Sequence, residues 1–461
     1  MLAKIQKELV QKKTRQMQLL IESDISNYRK LKNEYEKLPK TKQQNLSNEF
    51  KVYLLWAAAG YDDIAFADTL ILTHDYEKIE TVDEKRTLGR FYEKFSMTKK
   101  IIDHFLPLFN QEKLDINDTL TLFKNLYKRA MHQDCQRVIQ YAQNNYSENL
   151  AWNLEILKYQ IDTQHIYPAH KDIVLPNLKY LYPKCTTASE YLQIAICFYS
   201  AGYFNDSLNM LDAALQRVIP NVNYMEKNLF NSTQCLESMN EIIDILANIN
   251  IKAFPVGGSL LGLVRDGKFM DFDKDADIGI FVNNYDDIFK IVSTICQVPK
   301  FIAPGMVNNP KEAHLWNVGI EDTERSSAVD LFFYYKQSTH IENGIYTGCG
   351  MLKWSFTPFE LVEQTLAGKK YWTPDNTSQY LTDLYGNWKI PVKIWDSLVD
   401  CPNLMESSQS IIIYYGLTRF YESLSKNKIE KSLNYYKKLT EKWGIAFSPK
   451  TDVHIKKLLK I

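Results

Sequence analysis

The chain has 461 residues, and Lys+Arg and Asp+Glu both number 55, so its formal net charge is zero. That balance excludes a general electrostatic footprint for nucleic acid, and the length leaves room for roughly three domains. Gly (17) and Pro (15) are scarce against average usage of about 7% and 5%, so a mostly helical chain is expected.

The first residues, "MLAKIQKELVQKKTRQ", are too polar for a signal peptide, whose core needs about 7–15 apolar residues. The longest apolar stretch, "VYLLWAAAGY", covers about half a membrane span. The expected setting is therefore cytoplasmic. Cysteines 135, 185, 197, 235, 296, 349 and 401 are scattered without a CxxC pair, which points to reduced thiols.

Residues 1–45 read as a basic helical N-terminus, with ten Lys/Arg against five Asp/Glu over 1–40. A solvated helical face is the expectation; the competing reading is peripheral attachment to anionic lipid at the inner face of a membrane. Residues 46–222 continue as helices. Two stretches rhyme there, "LLWAAAGYDDIAFADTLI" and "ICFYSAGYFNDSLNMLDAAL", each with Ala-Gly-Tyr (59–61, 201–203) and a small residue four positions later, Ala65 or Ser207. This predicts a TPR-like helical domain, with a plain bundle as the alternative, and offers a surface for acceptor docking or homo-oligomer formation.

"VIPNVNYMEKN" (218–228) reads as a hinge into a catalytic domain over 225–404. After the helix "TQCLESMNEIIDILANIN" come the strands "DIGIFV" (277–282) and "AVDLFFYY" (328–335), with the helix "YDDIFKIVSTIC" among them. Strands mixed with helices make the fold class α+β. Residues 405–461 are expected to form two closing helices.

Chemistry concentrates between the hinge and the second strand. In "AFPVGGSLLGLVR" a short strand runs into Gly257-Gly258-Ser259 and then a helix, a corner whose free N–H groups suit phosphate. Ser259 is placed to cap the helix or bond a phosphate oxygen. In "MDFDKDADIGIF", Asp273, Asp275 and Asp277 fall on one strand face. Carboxylates so placed hold Mg²⁺ (or Mn²⁺) through hard oxygen ligands. A calcium loop fails, because its required Gly and Glu positions fall on Ala276 and Val282, or on Ile278 and Asn284. Asp330, mid-strand among apolar residues, is a third acid, since an isolated carboxylate there needs a partner or a metal. A Gly-Gly-Ser corner, an Asp-x-Asp strand and a later strand Asp form the pattern of a nucleotidyltransferase fold.

"GGSLLGLVRDGKFMDFDKDADIGIF" also resembles the signature of the LicD/fukutin family, Gly-[Thr/Ser]-Leu-Leu-Gly-x-x-Arg followed by an aromatic and alternating aspartates. Here these are Gly258, Ser259, Leu260, Leu261, Gly262 and Arg265, then Phe272, Asp273, Asp275 and Asp277, with Lys274 where the family often has another Asp. "YLTDLYGNWKIP" (380–391) is similar to the family's closing motif, with Asn387 in place of Asp. The family moves phosphocholine or an alditol phosphate, such as ribitol or glycerol phosphate, from a CDP-linked donor to a glycan or lipid-linked glycan acceptor of the capsule, lipopolysaccharide or teichoic type.

The resemblance implies that Asp275, Asp277 and Asp330 are catalytic and hold the metal, Asp330 as third ligand or general base. It places Gly257, Gly258, Ser259, Arg265 and Asp273 at the donor, with Lys274 and Arg325 as further phosphate contacts. His314 is expected to be structural. Trp354, Trp372, Tyr385, Trp388 and Trp395 are mostly core, with stacking on sugar or base as the alternative. Competing functions are an NMP-transferase using an NTP, a glycosyltransferase with an Asp-x-Asp motif, and a non-catalytic repeat scaffold. Three intact acids argue against the last.

Overall fold

The computed structural model describes residues 25–461 except 61–65, 68, 71–73, 75, 77–80, 95–96, 223–231, 271–274, 326, 348–349, 393, 398 and 406–408. The expectations for residues 1–24, for most of the hinge, and for Asp273 and Lys274 lie outside the described residues.

By packing, the chain divides into Met1–Val138 and Ile139–Ile461. The first unit carries α1 (Ile25–Glu36), α2 (Lys40–Gln44), α3 (Asn48–Gly60), α4 (Val82–Lys94), α5 (Thr98–Phe109) and α6 (Ile116–Lys128). In α1, Tyr28, Leu31 and Tyr35 are buried, the i, i+3, i+7 stripe of an amphipathic helix. Asp115 caps α6 by accepting the N–H groups of Asn117 and Asp118, and Arg90 of α4 clasps both Asp115 and the buried Asp118 at 2.7 Å. A further helix, α7 (His132–Asn145), spans the division.

The second unit opens with α8 (Leu150–Asp162), α9 (His170–Leu181), α10 (Ala188–Ser200) and α11 (Phe204–Leu215). A capping box between Thr187 and Glu190 starts α10. Gly202, at φ +84°, turns the chain into α11, and buried Ser207 donates to the Ala195 carbonyl at 2.8 Å, so the two helices lie close together. This hairpin is the second of the two rhyming stretches; the first includes residues 61–65, outside those described.

Next come α12 (Ser232–Ala247), β1 (Ala253–Pro255), α13 (Gly257–Arg265), β2 (Ala276–Phe281), α14 (Tyr285–Ile295), β3 (Phe301–Ile302), β4 (Asn317–Asp322), β5 (Ser327–Lys336), β6 (Ile341–Tyr346) and β7 (Met351–Phe356). They build a mixed sheet in the order β1-β2-β5-β4-β3, with β6 pairing the end of β5 and then β7. Among the described residues, β2 and β5 run parallel and the other pairings are antiparallel. The architecture is α+β, with a helical N-terminal half. Ile278 and Ile280 of β2 and Val329, Leu331 and Phe333 of β5 are buried, as two adjoining interior strands require. A hairpin, β8 (Leu361–Leu366) and β9 (Lys369–Pro374), precedes α15 (Thr377–Tyr385).

The C-terminal end differs from the expected helix pair. After α16 (Gln409–Ser425) and α17 (Ile429–Lys437), a third helix, α18 (Pro449–Leu459), begins at the Ser448 cap. The boundary read near 222 also lies inside a shared core: Tyr199, Leu211 and Leu215 pack in one cluster with Met239, Ile278, Leu331 and Phe420. The six described cysteines form no disulfide. No described helix is long and apolar enough to cross a membrane.

Candidate active site

β1 ends at Pro255, and after Val256 the chain enters α13 at Gly257, forming the strand–Gly-Gly–helix corner that the sequence predicts. Val256 is the N-cap residue and supplies no side-chain acceptor. Ser259 is therefore inside the helix rather than its cap, and it is buried. Its hydroxyl oxygen accepts the Asp277 N–H at 2.9 Å.

The parallel pairing of β2 with β5 sets Asp277 directly beside Asp330. Asp275, two residues earlier in the chain, shares Asp277's side. One carboxylate oxygen from each of Asp275, Asp277 and Asp330 lies within 4.8 Å of the others. Octahedral Mg²⁺ holds oxygens at about 2.1 Å, hence about 3–4 Å apart, so small side-chain rotations close this set around an ion. The donor chemistry fits: three hard anionic oxygens with the charge to match a divalent cation.

Electrostatics agree with the geometry. The Asp330 carboxyl is pushed up to about 7, first by burial and then by the negative charge of Asp275. A carboxylate on the interior strand of a sheet, facing two others, is unstable as an anion without a cation.

Two glycines wall this row of acids. Gly257 has φ +53°, and a Cβ there would stand 2.7 Å from Asp277 Oδ2. Across the sheet Gly319 of β4 pairs with Asp330, and a Cβ there would stand 3.1 Å from Asp330 Oδ1. Gly257→Ala is expected to cost about 1–2 kcal/mol from its left-handed backbone alone and to displace Asp277. Urea unfolding and Mn²⁺ titration of the variant check both effects; a wild-type Mn²⁺ affinity would show that the close approach is unimportant.

Beneath the corner, Tyr334 of β5 and Tyr380 of α15 join hydroxyls at 2.7 Å, both buried. A backbone hydrogen bond from Gly257 favours ionisation of Tyr380, against the larger opposing effect of burial. Tyr380 thus brings the segment 380–391 against the Gly-Gly corner, although the two are more than a hundred residues apart in sequence. Gly386, at φ +65°, ends α15 in a backbone conformation that favours glycine.

Other expected residues are engaged elsewhere. Arg265, at the far end of α13, grips Asp266 through two bonds of 2.9 and 2.8 Å. Arg325 is held by Asp322 at 2.7 Å, Glu241 at 3.0 Å and Glu237 at 3.2 Å, a cluster that ties the β4–β5 turn to α12. His314 is buried, its Nε2 3.0 Å from the Gly305 carbonyl oxygen, and burial lowers its pKa. Trp354 is core, and Trp372, Tyr385, Trp388 and Trp395 are half-buried against it. Gly319 and Tyr334 carry no sequence signal, and Tyr380 shows only as the first residue of the motif 380–391; their contacts depend on strand register and on distant segments.

Residues 250–376 match the family model described as LicD/FKTN/FKRP, nucleotidyltransferase domain. Ribitol-5-phosphate transferase FKTN of Homo sapiens is 27% identical over 189 residues, covering 39% of this chain and 40% of the human protein. The Mus musculus protein of the same name is 26% identical over 189 residues, with the same shares. The matched region thus spans about two fifths of the length of these curated relatives. The solved structure of a STING-associated CdnE c-di-GMP synthase from Capnocytophaga granulosa aligns at 11% identity and a TM-score of 0.21, covering 68% of this chain and 95% of that one, and supports no inference about fold. The motifs, the paired aspartates and the matched segment agree: residues 250–376 belong to the LicD/fukutin family.

Proposed function

We propose that the protein is a metal-dependent transferase that moves an alditol phosphate, with ribitol phosphate foremost, or phosphocholine, from a CDP-linked donor to a glycan. The observation that supports it most is the meeting of Asp275, Asp277 and Asp330 within a LicD-family segment. The similarity to ribitol-5-phosphate transferases favours the alditol phosphate over phosphocholine.

Asp275, Asp277 and Asp330 would hold Mg²⁺ or Mn²⁺. Such an ion, when bound, neutralises charge on the donor diphosphate and on the leaving phosphate. Phosphoryl transfer otherwise asks mainly for positioning, and a helix N-terminus such as that of α13 is suited to donor phosphate oxygens. An acceptor hydroxyl attacks the phosphorus distal to cytidine, the new P–O bond forms, and the bond to CMP breaks. A base takes the hydroxyl proton, Asp330 in the arrangement where it is not the third metal ligand, and CMP leaves with the bonding electrons as its phosphate. The helices before residue 222 would dock the acceptor or a second copy of the chain.

The test is incubation of the full chain with CDP-ribitol, CDP-glycerol and CDP-choline, Mg²⁺ and candidate glycans, with nucleotide release followed by chromatography. The expected product is CMP, together with a phosphodiester on the glycan. Pyrophosphate release from an NTP, with every CDP-linked donor untouched, would replace this reading with an NMP-transferase.

A further inference from the structure

The Gly-Gly-Ser corner completes the backbone bonding of Asp277. The antiparallel ladder between β1 and β2 pairs Ala253 with Ile280, Phe254 with Gly279 and Pro255 with Ile278. One step further, Val256 would pair with Asp277. Half of that pair is made, since the Val256 N–H donates to the Asp277 carbonyl at 3.1 Å. The other half is blocked. As the N-cap residue, Val256 has its carbonyl turned into α13, where it accepts the Leu260 N–H at 3.1 Å. The Asp277 N–H therefore cannot use the strand partner that a longer β1 would offer. Ser259 Oγ takes that place at 2.9 Å. At 1% exposure, Ser259 lies inside the fold, so a donor phosphate could touch its hydroxyl only if the corner opened.

We infer that Ser259 is a positioning residue for the metal site: its hydroxyl replaces the missing ladder acceptor and fixes the Asp277 backbone, so that the Asp277 carboxylate meets those of Asp275 and Asp330. This inference rests on the metal-binding part of the proposed function and not on the identity of the donor. A buried N–H left without an acceptor is costly, and the adjoining strand end would shift to find one. Groups that orient a metal ligand typically contribute 10–100-fold to metal affinity when removed.

The experiment is titration of the full-length protein with Mn²⁺ alone, read by electron paramagnetic resonance, for wild type, Ser259→Ala and Ser259→Thr. The Ala variant is expected to bind Mn²⁺ about tenfold more weakly, while Thr, which keeps a hydroxyl oxygen, stays within about threefold of wild type. With Mn²⁺ saturating, KM for a CDP-linked donor should be unchanged in the Ala variant. If that variant does not fold, Ser259→Cys replaces it, since a thiol of similar size is a poor acceptor and should show the same loss. Wild-type Mn²⁺ affinity in a folded Ala or Cys variant would overturn the inference. A raised donor KM at unchanged Mn²⁺ affinity would do so too, by assigning the hydroxyl to the phosphate. Equal loss in Ala and Thr would reduce Ser259 to a packing residue. Absence of Mn²⁺ binding by the wild type would overturn the metal site itself and this inference with it, whereas Mn²⁺ binding without turnover of any CDP-linked donor would overturn only the donor assignment.

Discussion

Asp277→Asn and Asp275→Asn each lower turnover by about 10³-fold or more while the protein stays folded. A bound divalent ion supplies several kcal/mol of charge stabilisation in the transition state, and each 1.36 kcal/mol is tenfold in rate. Either substitution keeps the shape of the side chain but removes one of three carboxylates whose oxygens lie within 4.8 Å of one another. Without metal the same change relieves repulsion, so each variant should match or exceed the wild type in urea midpoint when EDTA is present. The pairing of lost activity with retained stability separates a ligand from a packing residue. CMP release and urea unfolding, measured on the same preparations, check it. Turnover within tenfold of wild type in both variants would remove these acids from the mechanism.

The second large effect is one of pH. In the metal-free protein the Asp330 carboxyl is pushed up to about 7, by burial first and by Asp275 second. The folded state thus holds this proton more tightly than the unfolded chain, where an aspartate titrates near 3.9. Its contribution to stability is full below about pH 4 and is lost as pH rises to about 7. Asp330→Asn removes that component, so at pH 8 and without metal the variant should be more stable than wild type by about 2 kcal/mol, discounted from the full shift because Asp330 is partly exposed. The sign reverses for the metal. Binding must release the Asp330 proton, so wild-type Mn²⁺ affinity should fall by up to about tenfold per pH unit below 7. The Asn variant should bind weakly and without that dependence. Melting curves in EDTA and Mn²⁺ titrations between pH 5.5 and 8 read both effects, and a flat wild-type affinity across that range would show that Asp330 is not a ligand.

The two strands that carry Asp277 and Asp330 are legible in the sequence because their signals are local. The runs "DIGIFV" and "AVDLFFYY" are apolar, β-branched or aromatic, and bounded by polar turns; the observed strands, 276–281 and 327–336, begin one residue earlier. The shared side of Asp275 and Asp277 follows from their spacing alone. That Asp330 stands beside Asp277 does not, because it depends on a parallel pairing across about fifty residues. Glycines were harder still. Gly257 was visible as half of a Gly-Gly turn, but its closeness to the Asp277 carboxylate was not, and nothing local singles out Gly319. Arg325, expected as a further phosphate contact, has its guanidinium held in the fold by acids of α12 some eighty residues upstream, a pairing that no local signal shows. The third C-terminal helix has a readable start, Ser448 followed by Pro449, a cap and first-turn signal.

The shared core of the second unit means that the family segment is not a portable module in this chain. Tyr199 of α10 stacks on Tyr414 of α16, centroids 3.5 Å apart and planes 3° from parallel, and its hydroxyl donates to Thr347 at 2.9 Å. Excising 250–376 would strip away this support together with Leu211, Leu215 and Met239, and would open a wet face on the sheet that carries the aspartates. Inherited or engineered changes around Tyr199 or Leu211 would then mimic active-site defects: fewer molecules would be folded at any moment, while each folded one kept its chemistry.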